Sequence, residues 1–204
     1  MYLLTLYFRL IGASLRSQMQ YRVSFLLDTL ALFGATFLDF FSIALLFSRF
    51  EGLRGWTLWE VGLLYSLINL AFAFAVMVGR GFDTFNRDIV RGEFDKVLFR
   101  PLSPFFQVLG SQFQLRRLGR IAQALIIFGI AHAHLGISWT PSKAAFLIFS
   151  ILGGACFFLG LMVLGATFCF WTVQSIEILN VFTHGGVEAG NYPMSISAMK
   201  NGLR

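Results

Sequence analysis

Charge is scarce in this chain: Lys, Arg, Asp and Glu make up 13% of its 204 residues, against roughly 25% in an ordinary soluble domain. Lysine is scarcer still, with only Lys96, Lys143 and Lys200 beside thirteen arginines. None of the three follows a glycine, which excludes a Gly-Lys-Ser/Thr phosphate loop and ATP hydrolysis by that route. Two cysteines cannot build a disulfide framework. Cys156 and Cys169 are separated by about 20 Å along one helix and lie on nearly opposite faces, so they read as small packing residues. Histidine is equally sparse. His132 and His134, two apart, point about 200° away from each other on a helix and make a poor metal pair. They read as a polar helix end near a membrane surface. His184, followed by Gly185 and Gly186, fits no zinc or triad spacing. No catalytic and no metal-binding residues are therefore assigned.

What is present is apolar. Residues of hydrophobic type make up 57% of the chain, with 25 phenylalanines, and the mean hydropathy is +0.73. A soluble domain of this length could not hide so much apolar surface behind so few charges. The composition excludes a disordered tail, a disulfide scaffold and a nucleic-acid-binding domain, and it points to an integral membrane protein. The net charge of +6 is then an orientation signal rather than a nucleic-acid footprint.

The expected fold is all-α and polytopic. Residues 1–22 read as an interfacial amphipathic helix, with Leu4, Tyr7, Phe8, Ile11 and Leu15 on one stripe and Arg9, Arg16 and Gln20 opposite. They lack the cationic lead and cleavage site of a signal peptide. Residues 23–79 hold two transmembrane helices, Val23–Phe47 and Thr57–Gly79, long enough for a ~30 Å core and separated by a loop with Arg49, Glu51 and Arg54. Residues 80–120 form a basic loop. Residues 121–173 hold two more spans, Ile121–Trp139 and Ala144–Val173, joined by a turn at Thr140, Pro141 and Ser142. Residues 174–204 read as a polar tail without a further span. With the N-terminus in the cytoplasm, that side carries thirteen cations, eight of them in the 80–120 loop. The other side carries Arg49, Arg54 and Lys143. This asymmetry predicts a multi-pass protein with its N-terminus inside.

Asp28 and Asp39 lie within the first span, and eleven helical steps bring them to the same side. Acids there are expensive and face a protein interior or a watery path, so they are candidates for a pore lining or an intersubunit contact. The alternative is that Asp28 sits near the interface and Asp39 pairs with a polar neighbour. Gly153, Cys156, Gly160 and Thr167 form a small-residue stripe on the fourth span, expected to serve helix packing. The 80–120 loop reads as a helix ending near Arg100, before Pro101 and Pro104, with Pro104–Leu115 returning to the interface. Phe85, Ile89, Val90, Phe94, Val97 and Leu98 give it an apolar face. That is more than a lipid anchor needs, and it suits docking into a partner's groove.

The stretch from Ile89 to Pro104, with Gly92-Glu93-Phe94-Asp95 followed by Arg100-Pro101, resembles the permease subunits of type-2 ATP-binding-cassette (ABC) exporters, in particular a group of bacterial permeases. Tyr21–Asp28, Phe113–Arg120, Phe170–Val173 and Tyr192-Pro193 carry the resemblance further along the chain. It implies a permease in the bacterial cytoplasmic (inner) membrane that works with a separate cytoplasmic ABC ATPase. It also implies a second permease subunit, as a homo- or heterodimer. ATP and Mg would be held on the ATPase, and this chain itself would carry no cofactor and no enzyme activity. The loop between the second and third spans would contain the coupling helix, which by this resemblance puts Arg91, Glu93, Phe94, Asp95, Leu98 and Arg100 against the ATPase. Such permeases usually have six spans. Four are expected here, so the chain resembles one altered or shortened after about Pro193. Two rivals remain: an inactive permease remnant or membrane scaffold, and an ATP-independent secondary transporter, which would show an internal repeat. Membrane lipid is the remaining expected partner, and the substrate is not legible.

Overall fold

The computed structural model describes residue 12 and residues 14–49, 55–100, 103–172 and 175–191. The expected stripe positions Leu4, Tyr7, Phe8, Arg9 and Ile11 lie outside these residues, as do Glu51, Arg54, Pro101, Val173, Tyr192, Pro193 and residues 195–204. Residues 14–20 are helical. The elements that follow are α1 (Arg22–Arg49), α2 (Leu58–Asp83), α3 (Phe85–Val90), α4 (Phe94–Leu98), α5 (Pro104–Ser111), a 3-10 turn (Leu115–Arg117), α6 (Leu118–Leu135), α7 (Pro141–Phe168) and α8 (Ser175–Gly190). Among the described residues there is no strand, and four helical stretches are long and apolar enough to cross a membrane.

Local chemistry sets the helix ends. The Thr57 hydroxyl accepts from the Glu60 backbone N–H, and the Glu60 carboxylate accepts from the Thr57 N–H at 2.8 Å. This capping box starts α2. Thr140 caps α7 through the Lys143 N–H, with Pro141 in the first helical position, where its missing donor costs nothing. Gly136, in the left-handed conformation (φ 57°), ends α6 short of the expected Trp139. The fourth span was expected to run to Val173. Instead α7 stops at Phe168, and the apolar residues beyond it turn back on the bundle, with Phe170 packed on Phe85 and Phe94.

α2 is the centre of the bundle. It packs most extensively against α6 and α7, and also touches α1, α5 and α8. Its two faces feed separate apolar clusters. Phe72, Val76 and Phe82 join Phe158, Met162 and Ala166 of α7, while Val61 and Tyr65 join Ile43 of α1 and Ile127 of α6. Two close approaches depend on glycine. A Cβ at Gly81 would collide with the carbonyl oxygen of Val108 in α5, and a Cβ at Gly119 with that of Thr29 in α1. Trp59 stacks on His134 with ring centroids 3.8 Å apart. The start of α2 and the end of α6 therefore share one level, and the two helices run antiparallel.

The C-terminal region is not simply a polar tail. α8 packs against α7 and α2, burying Thr183 and Val187. At 16 residues it is shorter than the roughly 20 a spanning helix needs, and its Gly185-Gly186 pair dilutes its pattern.

Candidate functional site

Two places combine polar chemistry with defined geometry: an exposed elbow between α2 and α5, and a polar seam inside the bundle.

The elbow was expected as one amphipathic helix, but α3 and α4 are separate. Gly92 adopts φ +67° between them, a left-handed conformation that suits glycine and ends a helix. The break splits the expected apolar face. Phe85 is buried, and Ile89 and Phe94 pack on the core beside it. Val90, Leu98 and Phe99 remain exposed. Phe94 meets Phe85 with centroids 5.2 Å apart and Phe170 at 5.3 Å, and Phe85 meets Phe170 at 5.7 Å. Edge-on aromatic contacts of this kind are directional, so the triad fixes α4 to the foot of α7. The Gln107 side-chain amide donates to the Val97 carbonyl at 3.0 Å and ties α4 to α5. Of the six expected partner-facing residues, Arg91, Glu93, Asp95, Leu98 and Arg100 are exposed, and Phe94 is half-buried in the triad. Glu93 makes a loose ion pair with Lys96 at 3.7 Å, with both side chains in solvent, so it adds little rigidity.

The seam joins α1, α2, α6 and the end of α8. The Tyr65 hydroxyl donates to the Thr36 carbonyl at 2.8 Å, and the Gln123 amide donates to the same carbonyl at 3.1 Å. Asn69 is fully buried. Its amide nitrogen donates to Tyr65 O and to Asn191 Oδ1 at 2.8 and 2.9 Å. Its Oδ1 accepts from Arg120 Nε at 3.0 Å and from Arg120 Nη2 at 2.6 Å. The Arg120 guanidinium also lies 4.8 Å from the centre of the Phe72 ring, a cation–π distance. His184 packs edge-on to that ring at 5.3 Å.

Depth makes the seam unusual. Asn69 lies ten residues below Trp59, about 15 Å along α2, which is the middle of a ~30 Å hydrocarbon layer. Arg120, read from sequence as one of eight loop cations, thus places its charge at mid-membrane. Among the described residues it makes no ion pair within 4.0 Å. A cation held there by a neutral amide and an aromatic face marks a functional position by default. Sequence reasoning passed over Asn69, Arg120, Gln123 and Asn191. Ser66 and Asn69, a polar pair within an apolar span, were the available signal.

The remaining candidates divide. Asp28 is exposed and pairs loosely with Arg116 Nη1 at 3.6 Å, and Asp39 is exposed one span-half higher. Gly153 and Gly160 meet nothing within 4 Å of an added Cβ. Cys156 is exposed, and Thr167 bonds its hydroxyl back to Val163 O at 2.9 Å. Among the described residues Gly153 and Gly160 therefore face no other helix, while Thr167 borders an apolar groove with Phe82, Phe105 and Val108. The packing side of α7 is Gly154, Phe158, Met162 and Ala166, about a quarter-turn to a half-turn away. His132 and His134 diverge as expected. His132 accepts from the Trp139 indole and stacks on it, while His134 stacks on Trp59. No group of three or more metal-ligating side chains occurs among the described residues.

A family model described as "ABC-2 family transporter protein" matches residues 33–199. No curated protein and no solved structure matches the chain.

Proposed function

The chain belongs to the ABC-2 family of transporter proteins, and from that premise we propose that it is the membrane-spanning permease of an exporter driven by a separate cytoplasmic ABC ATPase. ATP and its magnesium would be bound by that partner. The cation distribution supports an orientation with the N-terminus and the elbow inside, and the resemblance to bacterial permeases supports a bacterial cytoplasmic membrane. Moving Arg120 from the loop to the seam leaves twelve cations on that side against three, so the bias survives.

The observation that carries the coupling role is the division of labour within the elbow. Arg91, Glu93, Asp95, Leu98 and Arg100 offer a mixed charged and apolar surface. Phe94, on the same short helix, is locked to Phe85 and Phe170. A partner that grips the exposed side moves the triad, and the triad abuts the C-terminal ends of both α2 and α7. Closure of the ATPase would then tilt α2, the helix that carries the seam at Asn69. On this reading Asn69, Arg120 and Asp39 lie along the translocation route, and a second permease subunit supplies its other wall.

The test is double charge reversal, Glu93→Lys with Asp95→Lys, in a reconstituted complex. Permease-dependent ATPase stimulation is expected to fall at least tenfold while the permease keeps its melting temperature. Unchanged stimulation would remove the elbow from the interface. Phe94→Ala separates grip from transmission: the ATPase should still bind, but transport should uncouple from hydrolysis.

A further inference from the structure

A cavity of about 330 Å³ lies beneath the N-terminal helical segment, between the foot of α1 and the chain leading into α6. It is polar for a place at the edge of a membrane. Ser17, Ser24 and Gln112 line it together with Asp28 and Arg116. Its roof is fixed rather than loose. Ser14 Oγ donates to the Phe113 carbonyl at 3.2 Å, the Gln18 amide donates to the same carbonyl, and Gln18 Oε1 accepts from the Leu115 N–H at 3.0 Å. The volume lies at the lower end of the range of ordinary ligand sites, roughly 300–1,000 Å³.

The two charges in its wall are of opposite sign and are not committed to each other. Asp28 Oδ2 and Arg116 Nη1 are 3.6 Å apart and both half-exposed, well beyond the ~2.8 Å of a charge-assisted hydrogen bond. A ligand with an anionic and a cationic group could take both. Asp28 stands six residues into α1, about 9 Å above Arg22, which is the depth of lipid headgroups. Beside it, about 60–100° round α1 from Asp28, Leu27, Ala31 and Leu38 present an exposed apolar flank that no other described helix covers. A polar cavity opening onto an apolar flank matches a molecule with a zwitterionic head and acyl tails.

We propose that this cavity binds the headgroup of a phosphatidylethanolamine-type phospholipid, with the phosphate on Arg116, the primary ammonium on Asp28 and the acyl chains along Leu27, Ala31 and Leu38. Hydroxyls of Ser17 and Ser24 supply further donors to the phosphate. The site needs only that the chain sits in a bilayer. It does not depend on an ATPase partner or on transport, so it can fail while the permease reading stands. The bound lipid would add a further link between the N-terminal segment, α1 and the 3-10 turn before α6.

The test is thermal unfolding of the purified full chain in detergent with added phospholipids of identical acyl chains. Phosphatidylethanolamine is expected to raise the melting temperature most, phosphatidylcholine less because its quaternary ammonium cannot donate to Asp28, and phosphatidylglycerol least. Asp28→Asn and Arg116→Gln should each abolish the ethanolamine preference. Water-soluble glycerophosphoethanolamine should give no shift at matched concentration. Equal or greater stabilisation by phosphatidylglycerol would overturn the proposal in favour of a plain basic anchor. A full shift with the soluble headgroup would overturn it in favour of a small-molecule site. The order of lipids on the unaltered chain decides the matter even if a variant fails to fold.

Discussion

α2 and α7 are nearly alike in length and hydropathy, yet the first is the core of the bundle and the second its rim. Over the most apolar window of each, 56% of α2 is buried and only 11% of α7. The difference lies in what interrupts the apolar run. α2 carries Tyr65, Ser66 and Asn69 near its middle, and small residues at Gly62, Ala71, Ala73, Ala75 and Gly79. α7 carries large side chains outward, with Phe146, Phe149, Leu152, Phe157 and Leu164 all exposed. Lipid solvates such groups as well as protein does, so apolarity places a helix in the membrane without saying where. Small residues let backbones approach, and buried polar groups must find partners. α7 carries small residues as well, at Gly153, Gly154, Gly160 and Gly165, so the buried polar residues are what set α2 apart.

Substitution at glycine gives the largest contrast between the two helices. Gly81→Val in α2 forces a side chain into the Val108 carbonyl, where the obstacle is backbone and cannot rotate away. A loss above about 4 kcal/mol is expected, seen as failure to recover folded protein after extraction. Gly153→Val in α7 meets nothing and should stay within about 0.5 kcal/mol of the unaltered chain. If both variants melt alike, the core–rim distinction is wrong.

The seam offers the next contrast, between stability and activity. Asn69→Leu leaves the Arg120 guanidinium without its acceptor in the middle of the membrane and should cost about 3 kcal/mol or more, as when one partner of a buried charged pair is removed. Arg120→Leu removes the charge itself. It loses two hydrogen bonds but also the standing cost of a mid-membrane cation, about 2.5–3.5 kcal/mol on insertion scales. Its net effect on melting should therefore be small, within about 2 kcal/mol of zero. If Arg120 serves the translocation route, transport-linked ATPase stimulation disappears all the same. A variant that melts far lower would make Arg120 a structural bridge only.

Much of the architecture is legible from residue order alone. The 3.6-residue period, the capping Thr57 and Thr140, and the run lengths place four spans to within a few residues. The exposed side of the elbow, Arg91 to Arg100, is legible as well, because charges there have nowhere to go but water. The seam is not. Asn69 and Asn191 are 122 residues apart, and no local pattern announces their contact. Arg120 follows Arg116 and Arg117 in sequence and so reads as a loop cation. Its inward turn depends on the close approach of α1 and α6 at Gly119, which only the packed structure reveals. The Gly92 break was equally hidden, since the apolar spacing runs through it while the backbone does not.

The smallest expected effect concerns the outward stripe of α7. Gly160→Leu meets open space within this chain, so a monomer's melting temperature should not change measurably. Among the described residues, a packing role for Gly153 and Gly160 then has an intermolecular form. Cys156 reads it directly, being exposed while Cys169 is buried. If a second copy of the chain packs on this stripe, Cys156 should crosslink efficiently between copies in membranes, and Gly160→Leu should reduce the crosslinked fraction severalfold while leaving the melt alone. Crosslinking that is absent, or that ignores the substitution, places the stripe against lipid. α7 would then be a rim helix on every side that α2 and α8 do not cover.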